Sequence, residues 1–154
     1  MTKYSYFMQI AKLTAELSKD THTKVGAVIV KNNKILSIGY NGSPRSFPEN
    51  HVPSEHSSQL INDKNTYMVH AELNAILNYD GHMKDFIGAT IFTTLSPCVE
   101  CTKALLQIGI RTMIYLNEYT KEQVQIAKLI CNYMNADYTQ YQEGGENGIS
   151  IRNC

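Results

Sequence analysis

Phe7, Ile10, Ala11, Thr14 and Leu17 recur at helical spacing, which predicts an amphipathic helix over residues 3–19. Asp20 to Lys24 is polar and turn-like. Val25 to Val30 is a short β-branched run that reads as a strand. Asn32-Asn33 then turns the chain, and Ile35 to Tyr40 returns as the second strand of a hairpin. Asn41-Gly42 and Ser43-Pro44 stop it. Residues 42–66 are polar and carry Pro44, Pro48 and Pro53, a long connection of the kind that is usually functional or mobile. A helix follows over residues 71–79, ended by Gly81, and then a strand over 89–95. Pro97 opens a helix that runs to Ile108 and is capped by Gly109. A strand over 112–116 precedes a helix capped by Thr120, with core positions Val124, Ala127, Ile130, Cys131 and Met134. Residues 136–141 read as a last strand, and the tail from Gly144 to Cys154 has no strong pattern. A helix between two strands usually makes a right-handed parallel crossover. The order therefore predicts an α/β fold with a mixed five-stranded sheet between helical layers, α/β/α.

Length and composition narrow the class. The 154 residues fit a single domain spanning 1–154, and 43% apolar residues are enough for a core. Lysine plus arginine number 14 against 14 acidic residues, so no cationic excess marks a nucleic-acid partner, and a small substrate is expected. Met1-Thr2-Lys3-Tyr4-Ser5 lacks the apolar run and cleavage site of a signal peptide. No stretch approaches the roughly 18 apolar residues of a membrane helix, so no membrane partner is expected. The expected compartment is the cytoplasm, of a cell or of an infected host. In such a chain the pair Cys98 and Cys101, spaced C-x-x-C, reads as metal or redox chemistry before it reads as a disulfide.

The chemistry concentrates in His70-Ala71-Glu72 and Pro97-Cys98-Val99-Glu100-Cys101, each at a predicted helix start. One imidazole and two thiolates make a three-ligand zinc set, and a catalytic zinc keeps its fourth position for water, which it acidifies. Exposed N–H groups at a helix start favour thiolate over thiol. Glu72 cannot easily share the metal from two residues beyond His70, but it can reach the water and move protons. A redox pair would use Cys98 and Cys101 alone. A structural zinc site would need a fourth ligand, for which Cys131, Cys154, His51 and His56 are the candidates. Cys131 falls on an apolar helix stripe and Cys154 ends the chain, so the catalytic reading is preferred.

H-x-E followed by P-C-x-x-C is the signature of zinc nucleobase deaminases. The chain resembles, in particular, the deoxycytidylate (dCMP) deaminases of the cytidine deaminase superfamily, with bacteriophage members most alike. The resemblance runs from about Tyr6 to about Tyr119. It is carried by Ser18-Lys19-Asp20, Val25-Gly26-Ala27, Gly39-Tyr40-Asn41-Gly42-Ser43-Pro44, His70 to Ile76, Ser96-Pro97-Cys98 with Cys101, and Gly109-Ile110. It implies a cytidine-deaminase-like fold. It also implies hydrolysis of dCMP to dUMP, which feeds thymidylate synthesis. One zinc would be held by His70, Cys98 and Cys101, with Glu72 as proton shuttle. The Ala71 N–H would meet the pyrimidine carbonyl and Asn41 the sugar hydroxyl, although Asn41 can also be read as a turn residue. Ser96 would line the base pocket, or else cap a helix. Lys24 and Tyr115 are candidates for phosphate or ring contact, or else a solvated lysine and a buried strand tyrosine. The same family implies a homo-hexamer activated by dCTP and inhibited by dTTP. That effector site would involve Tyr40, Asn41 and Gly42, with Mg2+ accompanying the triphosphate. Some phage members hold a second zinc through N-terminal cysteines; this chain has no cysteine before Cys98.

Two alternatives share parts of the pattern. A tRNA or free-nucleoside deaminase would carry the same zinc motifs, but the first lacks its expected basic charge here and the second leaves the loop at 42–66 without a task. A non-catalytic, zinc-containing nucleotide-binding regulator would have lost Glu72 or the open metal position.

Overall fold

The computed structural model describes residues 1–144, and the tail from residue 145, with Cys154, lies outside the described residues. Gly26–Lys31 (β1) and Lys34–Tyr40 (β2) form the expected hairpin. Asn32 and Asn33 both take positive φ, 51° and 60°, the left-handed pair that a two-residue hairpin turn requires. Thr90–Leu95 (β3) pairs antiparallel with β1, and Thr112–Asn117 (β4) and Asp137–Gln140 (β5) follow in parallel. The sheet order is β2-β1-β3-β4-β5, the mixed five-stranded sheet expected from the sequence.

Alternation along the strands gives the sheet two apolar faces. Val28, Val30, Phe92 and Ile114 pack against Phe7, Met8 and Ala11 of Lys3–Ala15 (α1). On the opposite face Ile29, Ile91, Met113 and Tyr115 meet three helices: Ala71–Leu77 (α2), Val99–Gln107 (α3) and Lys121–Tyr133 (α4). This is the α/β/α layering. The backbone of α2 lies directly on β2: a Cβ added at Gly39 would come within 2.3 Å of the Ala71 carbonyl oxygen and of the Ala75 nitrogen. A glycine at 39 is therefore what lets the start of α2 approach the sheet.

Several boundaries differ from the sequence reading. The first helix stops at Ala15, not near residue 19, and Leu17 is exposed. Ser18 leaves the helix because its hydroxyl donates to the Asn41 carbonyl, 2.8 Å away, and accepts from the Asp20 N–H. The second ends at Leu77 on Asn78, whose side chain reaches the Ile38 carbonyl, so Gly81 has no part in ending it. Pro97 lies before α3, and Cys98 itself is the N-cap, its sulfur accepting from the Cys101 N–H. Gly109, at φ 96°, closes α3 as expected, with bonds from Gly109 N–H to Leu106 and from Ile110 N–H to Leu105. Thr120 caps α4 through the Gln123 N–H. Met134 is exposed because the chain turns out of the helix there and Asn135 takes positive φ. The long loop contains three 3₁₀ turns, Glu49–His51, Leu60–Asn62 and Lys64–Tyr67. It closes through a bridge in which Gly42 and Val69 exchange N–H···O bonds of 3.1 and 2.7 Å.

Candidate active site

That bridge delivers the chain to His70, the N-cap of α2, with extended backbone. The loop after β3 delivers Cys98 from the other side. The His70 Nδ1 lies 3.5 Å from the Cys98 sulfur and 3.4 Å from the Cys101 sulfur. All three ligand atoms lie within 4.8 Å of one another. A tetrahedral zinc with bonds of about 2.0–2.1 Å to nitrogen and 2.3 Å to sulfur has N···S edges of about 3.5 Å. The donor set and its spacing therefore fit Zn2+, with three protein ligands and one position left over. Among the described residues no fourth His, Cys, Asp or Glu joins the group. His56 pairs instead with Asp63, and Cys131 lies on the buried face of α4, in the core.

Electrostatics support a cation at this point. The Cys98 thiol is pushed down, chiefly by its contact with Cys101 and then by His70, against the opposing effect of burial. The Cys101 thiol is pushed up because it sits against Cys98, is buried, and faces Glu72. Two sulfurs this close to each other and to Glu72 crowd negative charge when both ionise; a divalent cation between them relieves that conflict. The His70 imidazole is held above its usual range, first by Cys98, with burial opposing.

Glu72 sits two residues along α2, 4% exposed. Burial pushes its carboxyl up to about 7, the range in which a carboxyl can both take and give a proton near neutral pH. A cavity of about 230 Å³ opens beside it, and His70, Ala71, Glu72, Cys98, Asn41 and Ser96 all contribute to its wall. The structure thus brings together six residues that the sequence singled out. Ala71 occupies the first helical position, where the N–H has no intrahelical partner.

Asn41 does not take positive φ, so it is not the left-handed turn residue that the Asn-Gly pair suggested. Its Oδ1 accepts from the Val25 N–H and its Nδ2 donates to the Thr23 carbonyl, each 2.8 Å, pinning the entry of β1 to the cavity wall. Ser96 caps no helix; its hydroxyl accepts from the Tyr119 N–H at 2.8 Å, drawing Tyr119 over the cavity. Tyr40 is partly exposed, and its carbonyl accepts from the Asn74 side chain of α2.

Two candidates fall elsewhere. Lys24 points away to Glu16, 3.1 Å distant, and is absent from the cavity wall. Tyr115 is fully buried, packed on the Tyr138 ring, because the inward register of β4 sends it to the core. The lysine that does reach the cavity is Lys64, 5% exposed, from the long loop. It pairs with Asp20 at 2.6 Å. A lysine in a polar loop carries no periodic signal, and its partner is 44 positions away, so the sequence offered nothing to find it by.

Residues 1–117 match the family described as the cytidine and deoxycytidylate deaminase zinc-binding region. The chain is 35% identical to human deoxycytidylate deaminase over 140 residues, covering 88% of this chain and 78% of the human one. It is likewise 35% identical to deoxycytidylate deaminase of Enterobacteria phage T4, over 156 residues and 79% of this chain. Among solved structures it is similar to dCMP deaminase from the cyanophage S-TIM5 in complex with dCMP and dUMP. That likeness has a TM-score of 0.69 and 27% identity, over 88% of this chain and 94% of the other.

Proposed function

The chain belongs to the cytidine and deoxycytidylate deaminases, and on that premise we propose that it hydrolyses dCMP to dUMP and ammonia. The observation that carries the reading is Glu72: a buried carboxyl on the wall of a nucleotide-sized cavity, beside a His/Cys/Cys group with room for one more ligand.

His70, Cys98 and Cys101 would hold the zinc, which when bound would supply Lewis acidity and make water more acidic at neutral pH. The remaining work belongs to the protein. Water oxygen must end on carbon 4 of the pyrimidine and the exocyclic amine must leave as ammonia. Two protons travel meanwhile, one to ring nitrogen 3 and one to the departing amine. Glu72 takes each proton from water and delivers it, and its raised pKa suits both directions. The Ala71 N–H donates to the ring carbonyl and orients the base. Asn41 and Ser96 shape the wall around sugar and base, each already fixed by its own hydrogen bonds.

Lys64 is the ammonium in the cavity wall and the residue we assign to the 5′-phosphate. One of its three donors is taken by Asp20, which leaves others for an anion. Control by dCTP and dTTP at Tyr40, Asn41 and Gly42, with Mg2+ on the triphosphate, is part of this reading. The bridge from Gly42 to Val69, the residue before His70, supports it as a direct backbone link from that segment to the metal group. A homo-hexamer is supported by exposed apolar side chains on β2 and α2, Ile35, Ile38 and Leu77. Among the described residues no helix is long and apolar enough to cross a membrane.

The test is ammonia release by the zinc-loaded protein from dCMP, deoxycytidine, CMP and cytosine, with and without dCTP and dTTP. Selective turnover of dCMP is expected. Silence on dCMP under every condition, with zinc bound, would overturn the assignment.

A further inference from the structure

Cys98 is held from both sides by residues that are far from it in sequence and absent from the cavity wall. On its N-terminal side, the Pro97 carbonyl accepts a buried hydrogen bond from the Tyr138 hydroxyl of β5, 2.7 Å. On its C-terminal side, the Val99 N–H donates to the Gln123 side-chain oxygen of α4, 2.8 Å. The two peptide planes that flank a residue set its φ and ψ, and both planes around Cys98 are pinned. Its backbone sits at φ −66° and ψ 171°, outside the helix that it caps.

Each bond meets a need that the local chain cannot. Val99 opens α3, and a first-turn N–H has no partner within its own helix. The Pro97 carbonyl precedes the helix, and its other contact is a long one, 3.4 Å from the Thr102 hydroxyl. Both holders are themselves fixed. Gln123 is in the first turn of α4, its N–H bound to the Thr120 cap, and Tyr138 is buried against Tyr115. Burial raises the Tyr138 pKa, which keeps the phenol a donor.

We propose that Gln123 and Tyr138 are positioning residues of the metal centre: through the peptide planes of Pro97 and Val99 they aim the Cys98 thiolate at the metal. Both lie beyond residues 1–117, the region matched by the deaminase family. The last helix and strand thus contribute to the site as well as to the sheet. The proposal rests on the zinc assignment above, and its test reads the metal directly. Groups that orient metal ligands typically change metal affinity by about 10–100-fold when removed.

The experiment measures zinc affinity of the full chain by chelator competition, together with the thiolate-to-cobalt absorption of the Co2+-loaded protein. The variants are Tyr138→Phe, Gln123→Leu and Gln123→Glu, with Met8→Ala as a control that weakens the core on the opposite face of the sheet. Tyr138→Phe and Gln123→Leu are expected to lose about 10–100-fold in zinc affinity and to alter the cobalt band. Gln123→Glu keeps an acceptor oxygen and is expected to restore wild-type binding. Met8→Ala is expected to unfold at lower temperature yet bind zinc normally. Zinc affinities and cobalt spectra of Tyr138→Phe and Gln123→Leu equal to wild type, or shifted no more than in Met8→Ala, overturn the proposal. Failure of the wild-type chain to bind zinc would overturn the metal assignment itself, and deamination is not needed for either reading.

Discussion

Lys64 and Asp20 form an ion pair inside the cavity wall, 2.6 Å between Nζ and Oδ1, with each side chain 6% exposed. The pair ties the long loop to the turn between α1 and β1. The same Oδ1 also accepts from the His22 and Thr23 N–H groups.

Burial pushes the Asp20 carboxyl upward, but the Lys64 hydrogen bond and the two backbone donors outweigh it, and the pKa is held below the ordinary value. A carboxyl depressed in the folded state contributes stability that is present above its unfolded pKa of about 3.9 and is lost as pH falls through the folded value. Asp20→Asn should therefore be less stable than wild type near neutral pH, with the gap closing below about pH 4. Urea unfolding from pH 7 to pH 3 measures it; a gap independent of pH would disprove the linkage.

Lys64→Met should lower kcat/KM for dCMP by at least about tenfold, as expected for a lost charge-assisted phosphate contact, and leave any turnover of deoxycytidine, which has no phosphate, unchanged. Steady-state kinetics on both substrates check this. Equal losses on both would make Lys64 structural.

Glu72→Gln preserves size while removing the base. Turnover should fall by about 10²–10⁴-fold or more with zinc still bound in one equivalent, measured by metal analysis beside single-turnover assays. Loss of zinc in this variant would mean that the carboxylate supports the metal group.

At Gly39 an alanine Cβ would meet the backbone of α2 at 2.3 Å. Backbone cannot swing aside as a side chain does, so α2 must move, carrying Glu72 with it. Gly39→Ala should cost about 1–3 kcal/mol of stability and lower kcat more than its effect on folding explains. Thermal unfolding and activity of the remaining folded protein test this. Unchanged kcat would show that α2 tolerates the shift.

The parts of the molecule that were legible in the sequence are those set by short-range pattern. The short β-branched run from Val25 to Val30 and the paired asparagines after it specify a hairpin, because strand propensity and turn geometry act over a few residues. Thr120 predicts the start of α4, because a cap bonds three positions on. Glu72 beside His70, and Cys101 beside Cys98, were legible because each pair lies within one turn at a helix start; the meeting of the two pairs, 28 positions apart, was legible only as a motif. The ends of helices were not. Ser18 leaves α1 for the Asn41 carbonyl 23 positions away, and nothing in residues 3–19 encodes that partner.

The sequence by itself determined the layer order and the two motifs, His70-Ala71-Glu72 and Pro97 to Cys101, from which the candidate metal group is drawn. Each depends on residue type and on separations of a few positions. Only the tertiary structure decided which lysine meets the cavity, that Tyr115 is core, and that Gln123 and Tyr138 reach back to Cys98. Those outcomes depend on where the sheet brings distant segments together. Lys24 and Lys64 are chemically equal as letters; the fold turns one to Glu16 on the surface and buries the other against Asp20.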